Sequence, residues 1–409
     1  MGRRTSQRPL TREWRVAARL VLTLGFVAMI AVAASITAFG KSRGGRANAP
    51  FSHAYPPDPA PVERPKVTGP MPSAAHANTV TTKEPIHSFA ELAAHVATGT
   101  LLHLGGSRWL LRRPLAVAHR GAIDISGGEL EIGPGTFLEA RARGTLILRG
   151  LTVRGVTREG RPLRAPVRGR GFLVARDGGV LRLEHDSIRN LGYLGVVSYG
   201  ITFRRPGDGS AIRASSIQGN YFGVFISHAN GVRIVGNRVA DSSVYGIDPY
   251  GGSSNVWILD NVVERSGLHG IVLANGVRFS HVEHNVIEGA RDHGLVLVKK
   301  SDGNMIRANT VLGTFDAIVV TGSSDNTVVG NTVAHAQRFG IRLSYRAVGN
   351  RIEANAIRHA LVGVYLYAGA SRNELRDNRF DGNYENVRVR SDARGNRISP
   401  KPMHSELAR

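Results

Sequence analysis

A glycine followed by alternating apolar residues returns every 23 or 24 residues through the second half of the chain, at Gly223, Gly246, Gly270, Gly294, Gly340 and Gly363, with Ala317 filling the same lane. Self-similarity at a fixed period marks a solenoid, in which each repeat stacks on the last to bury a face it cannot bury alone. Asparagines keep the same step: Asn237, Asn261, Asn285, Asn309, Asn331, Asn355 and Asn378 each stand 8 or 9 residues ahead of the next lane position.

The segments GVFIS, GIVLA, GIRLS and GVYLY alternate with period two and are rich in β-branched residues, which predicts short strands and not helices. Asn, Gly, Asp and Ser lie between them, residues that tolerate left-handed backbone and satisfy turn amides with their own side chains. The expected fold is therefore all-β, a right-handed parallel β-helix with two or three strands per coil. Ten to twelve coils about 4.8 Å apart would make a rod of roughly 50–60 Å. In the late corners NMIRAN, NTVVGN, NRIEAN and NELRDN, stacked asparagines are placed to hydrogen-bond along the axis.

The start of the chain has another composition. Arg3, Arg4, Arg8, Arg12, Arg15 and Arg19 precede an uncharged apolar stretch over 20–39. That is about the length a helix needs to cross a bilayer, and longer than the core of most signal peptides. Positive charge ahead of the span places residues 1–19 in the cytoplasm and the rest outside, so a single-pass membrane anchor is expected, with a cleaved signal peptide as the rival reading. Eight prolines between Pro50 and Pro72 make 40–84 a disordered linker. Ser88, Phe89, Ala90 and Glu91 then form a capping-box pattern, predicting a short helix that caps the open end of the β-helix. The β-helix domain is expected over 85–398 and a polar tail over 399–409.

The chain has no cysteine, which excludes disulfides, thiolate metal sites and a cysteine nucleophile. Fifty-three Lys and Arg against 31 Asp and Glu give a formal charge of +22, which calls for an anionic partner. An extracytoplasmic rod without a helix-turn-helix, zinc finger or RNA-binding signature argues against nucleic acid. An anionic polysaccharide is the expected partner, with the membrane engaged through the N-terminal helix. A glycan synthesis or export complex is the kind of assembly such a chain would join.

Counting from each lane glycine, positions +1 and +3 are apolar and point into the core, so +2 and +4 point outward. In the coil of Gly246 these are Asp248 and Tyr250, between Phe225 and Ser227 on one side and Val272 and Ala274 on the other. At the strand ends lie His228, Asn275, Lys299 with Lys300, and Tyr345. Just before the glycines lie Tyr245, His269, His293 and Phe339, for which a plain stack lining a turn is an equally simple reading.

The stretch YGIDPYGGSSNVWILDNVVERSGLHGIVLANGVRFSHVEHN, from Tyr245 to Asn285, resembles the poly(β-D-mannuronate) C5-epimerases of bacterial alginate production. Their signature runs YGIDPHD, then a Leu and Ile stack, then HGI with a following Ser-Arg. The likeness extends over roughly 120–330, through GGVLRLEHDSIRNLGYLG, SYGITF, YFGVF and GLVLVKKSDGN. It implies a β-helix that inverts C5 of a polyuronate without a cofactor. That reaction needs a base, a group that neutralises the carboxylate, and an acid on the far side.

The family's presumed base, the histidine of DPH, is Tyr250 here; the next Asp is Gly251, and the arginine after HGI is Asn275. Asp248, Pro249, His269 and Gly270 are kept. On this resemblance Tyr250, Asp248 and His269 are the catalytic candidates, and Asn275, Lys299, His228, Lys300 and Tyr345 the substrate-binding ones. Tyr250 would need a cation such as Lys299 or Arg278 to lower its phenol from about 10. No cofactor or metal is expected. Two alternatives stay open: a catalytically degenerate polysaccharide-binding or export protein, and a polysaccharide lyase. Hydrolysis is disfavoured, because paired outward carboxylates are lacking.

Overall fold

The computed structural model describes residues 78–399 apart from 158, 159, 162 and 164–168. Over these residues the chain winds as a right-handed parallel β-solenoid with three sheets of 13, 12 and 13 strands. Each coil passes through sheet 1, then sheet 2, then sheet 3, before stepping up to sheet 1 of the next. Sheet 1 runs from Asn78–Val80 to Glu385–Val389, sheet 2 from Ala122–Ser126 to Arg397–Ser399, and sheet 3 from Leu101–His103 to Arg379–Asp381. One pairing at the start is antiparallel, Leu101–His103 against Arg108–Leu111.

Alternation sets what faces in. Ile247 pairs with Val224 and Ile271, and these columns of Val, Ile and Leu from all three sheets fill one continuous core. Each fully buried aliphatic side chain stabilises the rod by about 1.5–3 kcal/mol. The corners carry the polar share of the load. One asparagine ladder runs Asn237, Asn261, Asn285, Asn309, Asn331, Asn355, Asn378, each backbone N–H donating to the next side-chain Oδ1 at 2.9–3.0 Å. A second runs Asn304, Asn326, Asn350, Asn373, Asn396 at 2.8–3.0 Å. Buried corner amides are thereby paired without any water.

The helix α1, Phe89–His95, makes one of the two capping-box bonds, Ser88 Oγ accepting from Glu91 N at 3.1 Å, while Glu91 Oε2 accepts from His87 N, one residue before the cap, at 2.9 Å. Phe89 and Leu92 join the core. Two expected boundaries move. Asn78–Val80 already pairs with Leu115–Val117, so the solenoid begins inside the stretch assigned to the linker, and its last strand ends at Ser399, the first residue of the expected tail. Three-residue strands are too short for alternation to declare itself. The expected cytoplasmic segment, the membrane span 20–39 and the linker up to 77 lie outside the described residues. No helix among the described residues is long and apolar enough to cross a membrane.

Candidate active site on the outer face of sheet 1

The outer face of sheet 1 is built from the +2 and +4 columns. Asp248 pairs with Phe225, and Tyr250 with Ser227 on one side and Ala274 on the other, so both stand on the outer face as the alternation requires. Tyr250 is half-buried, its ring 6.2 Å from that of Phe225. Asp248 differs from expectation: it faces outward yet is 0% exposed. The apolar neighbours Val272, Val296 and Val319 on the same columns are buried as well.

The substrate-binding candidates form a rim along one edge of this face. His228, Asn275, Lys299 and Tyr345 all take left-handed backbone, with φ of 49°, 63°, 58° and 51°, and all are exposed. Gly251 and Gly322 continue the same row at 56° and 55°. Asn275 N donates to Val298 O, and Gly276 N to Lys299 O, each at 3.0 Å. Lys300 follows Lys299 in the same corner and is exposed.

The fold does not gather all the catalytic candidates. Lys299 lies two strands from Tyr250, about 10 Å along the stack, and Arg278 faces Asp302 at 3.8 Å. His269 stands at the opposite edge of sheet 1. It is five residues upstream of Ala274, the partner of Tyr250, so about 16 Å of extended strand separates the two. Asp248 and Tyr250 share a strand; His269 belongs to another group.

That group starts as a ladder of flat rings. Tyr199, Phe222, Tyr245, His269 and His293 follow one another with centroids 4.9, 5.1, 5.1 and 4.9 Å apart, the two imidazoles being parallel to within 4°. In the next coil an acid takes the place of a ring: Asp316 pairs with His293 in the strand register. Arg338 grips Asp316 from Nε and Nη2 at 3.0 and 2.8 Å, its guanidinium 4.6 and 4.4 Å from the Phe315 and Phe339 ring centres. Arg342, in the +2 column beyond Val319, reaches back across two coils. Its Nη1 is 3.3 Å from Asp316 Oδ2, its Nη2 3.5 Å from His293 Nε2, and Nη1 donates to Tyr367 Oη at 3.5 Å.

Electrostatics follow from burial. Desolvation, then the charges of His293 and Arg342, hold His269 down at about 3; desolvation, Arg342 and Arg338 do the same for His293. Both imidazoles are neutral at ordinary pH. His269 Nδ1 accepts from the His293 backbone N–H at 3.2 Å. His293 Nδ1 makes no hydrogen bond among the described residues and lies 3.3 Å from Asp292 Oδ1 and 3.6 Å from Asp316 Oδ2. Burial and the neighbouring Asp316 raise the Asp292 carboxyl. Such a set offers neutral bases, a cation and a phenol within a few ångströms.

Asp316, Arg338, Arg342 and Tyr367 were not among the sequence candidates. The signal was present in two columns: Asp316 interrupts a lane of rings, and Arg342 interrupts the outward run Val272, Val296, Val319.

The fold and part of the sequence have known counterparts. The chain is 28% identical over 189 residues to a mannuronan C5-epimerase of Pseudomonas aeruginosa, a match covering 42% of this chain and 34% of that protein. The chain thus spans about a third of that relative's length. The crystal structure of the periplasmic alginate epimerase AlgG superposes with a TM-score of 0.69 at 22% identity, covering 77% of this chain and 83% of that one. A double mutant of AlgG superposes with a TM-score of 0.68 at 21% identity over 78% and 84%. The family model described as "Periplasmic copper-binding protein (NosD)" matches residues 184–346 and 316–404. These matches together run over more than half of the 409 residues, and the chain belongs to that family.

Proposed function

We propose that this protein acts on an acidic polysaccharide outside the cytoplasm, held to the membrane by residues 20–39, and that its reaction is C5 epimerisation of uronate units. The observation that carries the reading is the 189-residue similarity to a mannuronan C5-epimerase. The solenoid supports it with a long face on which polar side chains recur one coil apart. On this reading Tyr250 meets the sugar on the floor with Asp248 buried two residues before it, while His228, Asn275, Lys299, Lys300 and Tyr345 hold the polymer along the rim. The helix α1 covers the start of the rod.

The chemistry removes a proton from the carbon next to a carboxylate and returns one to the opposite face. A cation must hold the developing negative charge. Tyr250 and Asn275 stand where the resembled enzymes place a histidine and an arginine, and this observation favours one second reading, a protein that binds and guides the polymer without altering it.

The family name raises copper. Among the described residues one group, His269, Asp292 and His293, brings its donor atoms within 4.8 Å of one another. It does not fit a chelate. An imidazole lone pair lies in the ring plane, and two rings parallel to within 4° direct theirs along lines that do not converge on one ion about 2 Å from each. His269 Nδ1 already accepts a backbone N–H, and Arg342 lies beside His293 Nε2. No step is routed through copper.

Incubation with polymannuronate in heavy water, read by proton NMR, tests the proposal. Deuterium at C5 with an altered sugar ratio is expected. Unsaturated chain ends would make the protein a lyase, and an unchanged polymer that co-sediments would make it a binder.

A further inference from the structure

We propose that the proton transfers are carried by His293, Arg342 and Tyr367 on the outer face of sheet 1, with Arg342 as the seat of the uronate carboxylate. This rests on the polyuronate reading above, and relocates the chemistry by two to five coils from Tyr250.

Three observations converge there. The Arg342 guanidinium is flanked on one side by His293 Nε2 at 3.5 Å and on the other by Tyr367 Oη at 3.5 Å. Its Nε is buried and has no hydrogen-bond partner among the described residues, a donor waiting for an acceptor. Asp316 is already held in a fork by Arg338, so the charge of Arg342 is not fully spent on it. A carboxylate docking on Nε and Nη2 would be bound side-on by two charge-assisted hydrogen bonds.

The position of His293 gives it a direction. Its Nδ1 lies between the carboxylates of Asp292 and Asp316, which favours the proton on Nδ1 and leaves the lone pair of Nε2 facing Arg342. In a uronate C5 is bonded directly to the carboxylate carbon. A carboxylate seated on Arg342 therefore brings C5–H beside that lone pair.

The step balances without a further reactant. The C5–H bond breaks and the proton goes to His293 Nε2, while the electron pair moves into the carboxylate and is held by Arg342 as an enediolate. Tyr367 Oη then gives its proton to C5 from the opposite face. The imidazolium keeps its Nδ1 proton beside Asp292 and Asp316 and gives the Nε2 proton to solvent, and the phenolate is reprotonated from solvent. The three side chains are buried in the free protein, so polymer binding has to uncover them.

A buried ion network with a purely structural role is the competing account, and an isotope experiment separates the two. The full chain is incubated with polymannuronate in heavy water, and each variant is first shown by thermal melt to be folded. His293→Gln is expected to lower both C5 exchange and inversion by about 10²–10⁴-fold. Tyr367→Phe, the conservative change, is expected to uncouple them: His293 still removes the proton, its Nε2–H exchanges with heavy water, and a deuteron returns from the same side, so deuterium enters with mannuronate configuration retained. Arg342→Lys is expected to raise KM and lower kcat together. A folded His293→Gln that exchanges at the wild-type rate overturns this assignment alone, as does a Tyr367→Phe that inverts normally. A wild-type chain that binds the polymer without exchange overturns the assignment and the epimerase reading together.

Discussion

Asn285 shows how much one corner residue carries. Its Oδ1 accepts from the backbone N and side-chain Nδ2 of Asn261, both at 2.9 Å, while its own Nδ2 donates to Ile258 O and to Asn309 Oδ1, again at 2.9 Å. Asn285→Ala strands a buried N–H and a buried carbonyl, each costing about 1–3 kcal/mol, so denaturant titration should show a loss of about 3 kcal/mol. A loss below about 1 kcal/mol would mean the ladder relaxes around the gap.

The imidazole pair sets a pH dependence. Folded His269 and His293 stay neutral down to about 3, while the unfolded chain takes up protons near 6.5. Their contribution is therefore full above 6.5 and lost as pH falls toward 3. Asp186 works the other way, because burial pushes its carboxyl up to about 7, and Asp292 adds to it in the same direction. Two deeply shifted imidazoles outweigh them, and Asp316, Arg338, Arg342 and Asp292 face the pair throughout. Melting temperature should fall between pH 7 and 4, and His293→Gln should flatten the slope; an unchanged slope would contradict the assignment of neutral imidazoles. At this scale alternation assigned Asp248 and Tyr250 to the outer face, and the register pairs them with Phe225 and with Ser227 and Ala274. It said nothing of Asp248 being closed off, nor of Arg342 reaching across two coils, because side-chain reach between coils leaves no period in the sequence.

The strand with its lane glycine is the repeating element, and the glycine is there for space. A Cβ built on Gly270 would lie 2.4 Å from Ile287 Cγ2 and 2.6 Å from the Gly294 carbonyl oxygen, both across tightly packed neighbours. Gly270→Ala should cost about 1–3 kcal/mol by overpacking, read as a lowered denaturation midpoint at unchanged slope. Ala317 occupies the lane naturally, so a neutral Gly270→Ala would mean every coil can shift as that one does. The lane, the strands after it and both asparagine ladders were legible because they recur at fixed spacing. The three-residue strands of sheet 3, such as Val262–Glu264, and the opening strand Asn78–Val80 are too short to show alternation, which is why the number of sheets and the first boundary were not.

The whole molecule carries a formal charge of +22. Attraction between exposed Lys or Arg and a polyanion is screened as the Debye length falls from about 10 Å at 0.1 M salt to about 3 Å at 1 M. Binding to polymannuronate should weaken steeply between these concentrations, and a neutral glucan should not bind at either; salt-independent binding would put apolar stacking, not charge, in control. On the proposed function, one face of the solenoid, the outer face of sheet 1, is where the polymer is held and changed. A structure of the full chain with an oligomannuronate bound tests this most directly. Sugar rings are expected along that face with one carboxylate in hydrogen-bond contact with Arg342, and an oligosaccharide seated on sheet 2 or sheet 3 would overturn the proposal.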